Sequence, residues 1–247
     1  MDSRRTGPHL VEMDTEDGVR ARLAAGGLNG GWPVLVVVGG AAGLSGSAEA
    51  VVRRVIEQLV VPVAVERNAA IVDGGTDSGI MRMIGQAHAD LAAKPPLVGV
   101  AVRRLVRVAG QDETDVAEDA ADAEPHHTHL VLVPGQKWGD ESRWLSAVAG
   151  WLSAGRGAAT VVLNGGKVTL SDVGHSVAAG RPVVAVAGTG RSADLLVAAL
   201  DGGVEDRSED AGMAEARAAA ASGLLTVLDS TAPTEVQRAQ LSRVLSP

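Results

Sequence analysis

The sequence predicts an α/β fold: a Rossmann-like, mostly parallel sheet with helices on both faces. Three observations carry this. Short apolar runs of about 4–6 residues alternate with amphipathic stretches of about 9–14. Most of these runs are apolar throughout, as strands buried on both faces are. Three of them end in Gly-rich turns that open into a helical stretch, the strand–turn–helix rhythm of a parallel sheet.

The elements follow in order. Residues 1–31 are polar and then Gly-rich, an N-terminal arm with one short strand at His9–Met13. Pro33–Val38 is a buried strand, and a helix over Ser47–Val60 carries Val51, Val55, Ile56 and Leu59 on one stripe. Asn68–Val72 is the second strand, followed by a helix from about Gly79 to Ala92. Pro96–Ala101 is the third. Residues 110–125 are acidic and Ala-rich without a clear period, and are expected to form an excursion. His129–Val133 is the fourth strand. Ser142–Ala154 is a helix whose Trp144 and Trp151 read as core plates against the sheet. Ala159–Leu163 is the fifth strand, and a helix over Ser171–Ala179 stops at Gly180. Pro182–Ala187 is the sixth, with a helix to Leu200. Residues 201–247 form a C-terminal extension: acidic, then Ala-rich, then a late edge strand at Leu224–Leu228 and a last helix capped by Thr234. Residues 32–247 thus read as one domain.

Composition narrows the chemistry. Apolar residues are 46% of 247, enough for a sizeable core. Aromatics are 2%, with four Trp and neither Phe nor Tyr, so the core must be built of Val, Ala and Leu. The net charge is -8, but residues 111–124, residues 201–217 and the arm hold all the excess acid and leave the remainder net positive. General nucleic-acid binding is not expected, while an anionic ligand in a local pocket is allowed. There is no Cys, which removes disulfides and thiolate chemistry. No apolar leader opens the sequence and no 18-residue apolar run occurs, so a cytoplasmic protein without a membrane partner is the default expectation. A homo-oligomer is possible.

The three Gly turns are Val38–Gly46, Val72–Gly79 and Ala187–Asp194, and in a parallel sheet all lie on one edge. Gly39, Gly40, Gly43, Gly74, Gly75, Gly79, Gly188 and Gly190 would let a ligand approach the backbone, and first-turn amides can hold phosphate oxygens. Thr76, Ser78, Thr189 and Ser192 can cap a helix or donate to the same oxygens. Arg191 offers a fork suited to phosphate. Asp73, Asp77 and Asp194 suit ribose hydroxyls or water. Taken together the turns point to a nucleotide-like or phosphorylated ligand; one alone would be tight α/β packing. None is a Walker loop. None fits the dinucleotide fingerprint: Gly39-Gly-Ala-Ala-Gly-Leu has the wrong spacing, and no acid is expected at the end of the next strand.

Elsewhere, Glu124-Pro-His-His-Thr-His129 is the densest imidazole cluster. No metal or other cofactor is expected from it: His127 reads as holding a neighbouring loop and His129 as starting a strand. Glu141 opens a helix, either capping it or positioning a ligand or water. Lys137 could meet a phosphate, and Lys167 is a weaker candidate for the same role. Arg143 could pair with Glu141 or Asp140. Arg103, Arg104 and Arg107 form a basic patch that is either solvated or holds the acidic excursion. No GxSxG elbow is present and no carboxylate pair can be assigned.

The motifs Val38-Gly-Gly-Ala, Asp73-Gly-Gly-Thr-Asp-Ser-Gly-Ile-Met, His127-Thr-His-Leu-Val-Leu-Val133, Gly139-Asp-Glu-Ser-Arg143 and Gly188-Thr-Gly-Arg-Ser-Ala-Asp194 together resemble the prokaryotic branch of the SLOG superfamily over residues 32–200. That branch is similar to the N-terminal cytosolic homology region of TRPM channels and, more distantly, to the LOG (lysine-decarboxylase-like) proteins. The resemblance implies a Rossmann-like fold and binding of nucleotides or ADP-ribose-like molecules. It carries over Gly74, Gly75, Thr76, Gly79, Gly188, Gly190, Arg191, Ser192 and Asp194 as cradle residues. Of the LOG motif PGGxGTxxE only the glycine–threonine part is matched, with no Glu at Met81 or Arg82. The expectation is therefore a soluble sensor or binding protein for an ADP-ribose- or NAD-like ligand. The alternatives are a nucleotide N-glycosidic hydrolase using Glu141, or a scaffold without ligand.

Overall fold

The computed structural model describes residues 7–40, 43–44, 46–112, 114–202 and 211–246. Ala41 and Ala42 of the first Gly turn, Glu113 of the excursion and residues 203–210 of the acidic stretch lie outside the described residues, as do residues 1–6 of the arm.

Among the described residues eight strands form one all-parallel sheet. They are β1 (His9–Glu12), β2 (Val34–Gly39), β3 (Ala70–Asp73), β4 (Leu97–Val102), β7 (His129–Val133), β8 (Ala158–Leu163), β9 (Val183–Ala187) and β10 (Leu225–Asp229), in the spatial order β1-β7-β4-β3-β2-β8-β9-β10. A separate parallel pair joins β5 (Val106–Arg107) to β6 (Ala121–Asp122). The mostly parallel Rossmann-like prediction holds, and its cause is visible in β2. Val34, Val36 and Val38 belong to the core on one face, while Leu35 and Val37 belong to the core on the other. With successive side chains on opposite faces, a strand covered on both sides must be apolar at every position.

Strand order reverses at β2, which has β3 on one side and β8 on the other. Crevices open beyond the strand C-ends at such a switch. Gly39 pairs with Leu163 there, and a Cβ on it would sit 2.0 Å from the Leu163 carbonyl. Only Gly lets these two strands end side by side.

Several elements differ from expectation. The segment read as a loose arm is built into the molecule. β1 pairs with β7 from His9 opposite His129 to Glu12 opposite Leu132, and α1 (Val19–Ala25) follows. Met13, Leu23 and Leu28 are sealed in the core; their burial, invisible against the surrounding Gly and charge, outweighs weak local propensity. The first long helix runs on past Val60. α2 (Gly46–Val55) continues through a π-helical turn, Ile56–Val60, into α3 (Val61–Glu66). Pro62 has no N–H to give the carbonyl four residues back, and Arg238 Nε donates to that Gln58 carbonyl at 2.9 Å instead. α4 spans Gly79–Ala89 and α5 Ser142–Ser153, where Trp144 is buried in the core as expected and Trp151 packs against its rim.

α6 (Lys167–Ala178) begins a full turn before the expected Ser171, with Gly166 as its N-cap. After its C-cap Ala179, Gly180 takes φ +67°, the left-handed stop that was expected. α7 is Arg191–Leu200. The Ala-rich stretch forms α8 (Ala211–Ala221), which packs on α6 and α7. β10 is the expected edge strand. α9 (Thr234–Val244) has Pro233, not Thr234, at its N-cap, with no capping side chain; Thr234 is already helical.

The excursion is held through its backbone. Arg107 donates to the carbonyls of Ala120 and Glu118, and the Ala117 N–H donates to the Arg104 carbonyl at 2.7 Å. Arg103 pairs with Glu12 at 3.1 Å, and Arg143 with Glu16 at 3.1 Å rather than with Glu141 or Asp140. No helix among the described residues is long and apolar enough to cross a membrane.

Candidate functional site

A cleft of about 320 Å³ lies at the order reversal, over the C-ends of β2, β3 and β8. Gly39 and Gly40 come to it from β2, Gly74 and Thr76 from β3, and Met81 from α4. Trp138, Glu141 and Leu145 come from the β7–α5 junction. Gly166 to Thr169 and Asp172 form the first turns of α6, and Arg191 opens α7. One wall is apolar, with Met81, Leu145 and Val168 beside the half-exposed Trp138 ring. The lining also carries two cations, Lys167 and Arg191, both exposed.

Arg191 is placed by backbone geometry that side chains rarely adopt. Its φ is +51°, directly after Gly190 at +90°. Such a conformation in a residue with a Cβ costs about 1–2 kcal/mol. The guanidinium it aims lies between two loops: a Cβ on Gly43 would come within 3.2 Å of Nη1, and one on Gly166 within 3.1 Å of Nη2. The glycines at 43 and 166 make room for the cation at the end of the sheet.

The structure brings Gly39, Gly40, Gly74, Thr76, Glu141, Lys167 and Arg191 of the expected residues into one cleft, with Gly43 alongside Arg191. The others stand outside its lining. Asp73 does end the strand after β2, where no acid was expected. Its side chain is fully buried: Oδ1 accepts from the Gly75 N–H and from His127 Nε2, both at 2.8 Å. Gly75 packs on Gly99 and Leu130 beneath the turn. Asp77 pairs with Arg82 at 2.7 Å, Ser78 shares a hydrogen bond with Thr76, and Gly79 starts α4.

The third turn closes on itself. Asp194 accepts from Gly188 N at 2.7 Å and Gly190 N at 3.1 Å, so these amides, expected to hold a phosphate, already hold a carboxylate. Thr189 is buried and ties the turn to Asn164, and Ser192 donates to the Gly166 carbonyl. Lys137 is exposed beyond the cleft.

Sequence reasoning missed Asp172. It lies on the inward stripe of α6 with Thr169, Leu170, Val173 and Ser176, only 8% exposed; among the described residues its Oδ1 completes no hydrogen bond, although the Ser142 hydroxyl beside the carboxyl favours the charged form. Burial, with Glu141 nearby, pushes its carboxyl up to about 7. Glu141 is also raised by burial, although Oε2 accepts from Gly139 N at 2.9 Å. The sequence offered no assignable carboxylate pair; the fold makes one from α5 and α6. The signal existed: an acid between Leu170 and Val173 on the inward helical stripe, hidden once the helix was started at Ser171.

The imidazole cluster has a different role. His127 is fully buried, with Nε2 on Asp73 and Nδ1 on Glu124 Oε2 at 2.8 Å. His129 begins β7, its ring edge-on to His9. Among the described residues no group of three or more His, Asp or Glu has the placement to hold a metal ion.

A family model described as SLOG in TRPM, prokaryote, matches residues 32–238. No curated protein matches the chain.

Proposed function

The chain belongs to the family of prokaryotic SLOG domains of the TRPM type, and from that premise we propose that it binds a nucleotide-derived, ADP-ribose- or NAD-like ligand in the cleft beyond β2, β3 and β8. One observation carries this reading. At the strand-order reversal, four glycines, two cations and an apolar wall with an exposed Trp face a single hollow. The phosphates go to Arg191, Lys167 and the first turn of α6, where helix amides still lack intrahelical partners. The base lies against Trp138 and Met81. With Gly75, Gly188 and Gly190 already donating to Asp73 and Asp194, anion recognition falls mainly to Arg191 and α6.

Thermal shift and calorimetry with ADP-ribose, NAD, AMP and cyclic dinucleotides test the proposal. Expected is stabilisation by at least one of them, with affinity falling more than tenfold in Arg191→Glu. Stabilisation by none would leave a scaffold without ligand.

The burial of Glu141 beside Asp172 favours a second reading, hydrolysis of an N-glycosidic bond. A carboxyl raised by burial is suited to proton transfer near neutral pH. Release of free base or ribose phosphate, lost in Glu141→Gln, would establish it.

A further inference from the structure

Resting on the nucleotide reading, we propose that Asp172, supported by Glu141, forms a hydroxyl-reading floor of the cleft, and that the part of the ligand it recognises is the vicinal diol of a ribose.

Asp172 sits where the fold has least use for an acid. The stripe of α6 that faces the core buries Thr169, Leu170, Val173 and Ser176 around it. An apolar side chain there would bury at no polar cost, whereas an unsatisfied acceptor forfeits its hydration without return. Its Oδ1 has no partner among the described residues. The Ser142 Oγ beside it, itself sealed, favours the charged carboxylate, but burial outweighs it. Yet Asp172 is not entombed: it lines the cleft together with Glu141. An acid of this kind on the lining of the hollow, buried but for 8% of its surface, is placed for a donor that the ligand brings.

The rest of the cleft selects which donor. A cationic ligand would meet Lys167 and Arg191 in the same lining. A purely anionic one would meet two carboxyl groups. A molecule with both a phosphate and neutral O–H donors suits the cations and the carboxyls alike, and two adjacent hydroxyls give each carboxyl one donor. Pentose phosphates have this shape. In dinucleotide-binding α/β sheets a ribose is held by an acid that follows the first Gly turn, at the end of the neighbouring strand. Here that residue is Asp73, committed to His127 and the Gly75 amide. The ribose reader has therefore moved across the sheet reversal, from the β3 side to α6.

Calorimetry with AMP and its 2′,3′-dideoxy counterpart on the full chain tests this. The wild type is expected to prefer AMP at least tenfold, and the preference to shrink below threefold in Asp172→Ala. Asp172→Asn retains one acceptor and should give an intermediate ratio. Without nucleotide both variants should melt at or above the wild-type temperature, since a buried carboxyl is removed. Equal binding of the two nucleotides by the wild type, a preference preserved in Asp172→Ala, or lower melting temperatures in both variants would overturn the inference. No binding of AMP or ADP-ribose by the wild type would remove the nucleotide reading and this inference with it. Binding without ribose preference would remove this inference alone.

Discussion

His127 and Asp73 meet at 2.8 Å with neither side chain exposed. The other ring nitrogen of His127 meets Glu124 at 2.8 Å. With a carboxylate on each side, both nitrogens donate and the ring is an imidazolium. Burial alone would lower its pKa, but Asp73 and Glu124 outweigh burial and raise it to about 9. The same two acids fasten the turn after β3: Asp73 takes the Gly75 N–H, and the Glu124 N–H donates to the Gly75 carbonyl at 3.0 Å. Gly74 and Thr76, which line the cleft on either side of Gly75, are positioned by this buried charge network.

Replacing His127 by Gln strands two buried carboxylates. The expected loss is about 3–5 kcal/mol, the range for breaking a buried ion pair from one side. The sign of the pH effect follows from the raised pKa. Native His127 keeps a proton that the unfolded chain releases, so its contribution is complete below about pH 6.5 and is lost as pH rises through about 9. Denaturant titrations from pH 6 to 10 should show wild-type stability declining over that window, and His127→Gln declining less.

Asp172→Asn should stabilise the unliganded protein, but only away from acid. The carboxyl is neutral in the native state up to about pH 7, while the unfolded chain ionises near 3.8. Wild-type stability therefore falls as pH rises from about 4 to about 7. The gain from the amide should be near zero at pH 4 and level off above pH 7 at a few kcal/mol, on the order of 1.4 per pKa unit. Unfolding curves at pH 4, 5.5 and 7.5 check this; a gain that does not change with pH would contradict it.

Two helical glycines should respond oppositely to Ala. A Cβ on Gly85 would come within 2.1 Å of the Glu124 carboxylate carbon, whereas one on Gly150 meets nothing within 4 Å. Gly85→Ala pushes Glu124 off His127 and should cost at least the ~1–3 kcal/mol of an overpacked core. Gly150→Ala should add about 0.5–1 kcal/mol through helix propensity alone. Melting temperatures of the pair decide it.

Arg191→Gly separates ligand binding from stability. Glycine takes φ +51° without the strain an arginine bears, so the melting temperature should change by no more than a few degrees. Affinity for ADP-ribose should fall tenfold or more by calorimetry, since the guanidinium at the cleft rim is gone.

The chain order by itself determined the α/β class, the central strands and the edge on which the Gly turns lie. Runs such as Val34–Val38 are apolar at every position because both faces of the sheet are covered, and that demand is written locally. Tertiary structure decided what each turn does. Whether a glycine amide meets a ligand or an acid depends on which side chain the fold delivers, and here Asp73 and Asp194 reach Gly75, Gly188 and Gly190 first. The placing of Glu141 near Asp172, and the contact of His127 with Asp73, likewise join residues distant in the chain. Charge burial and long-range contact set their chemistry, and neither leaves a period in the sequence.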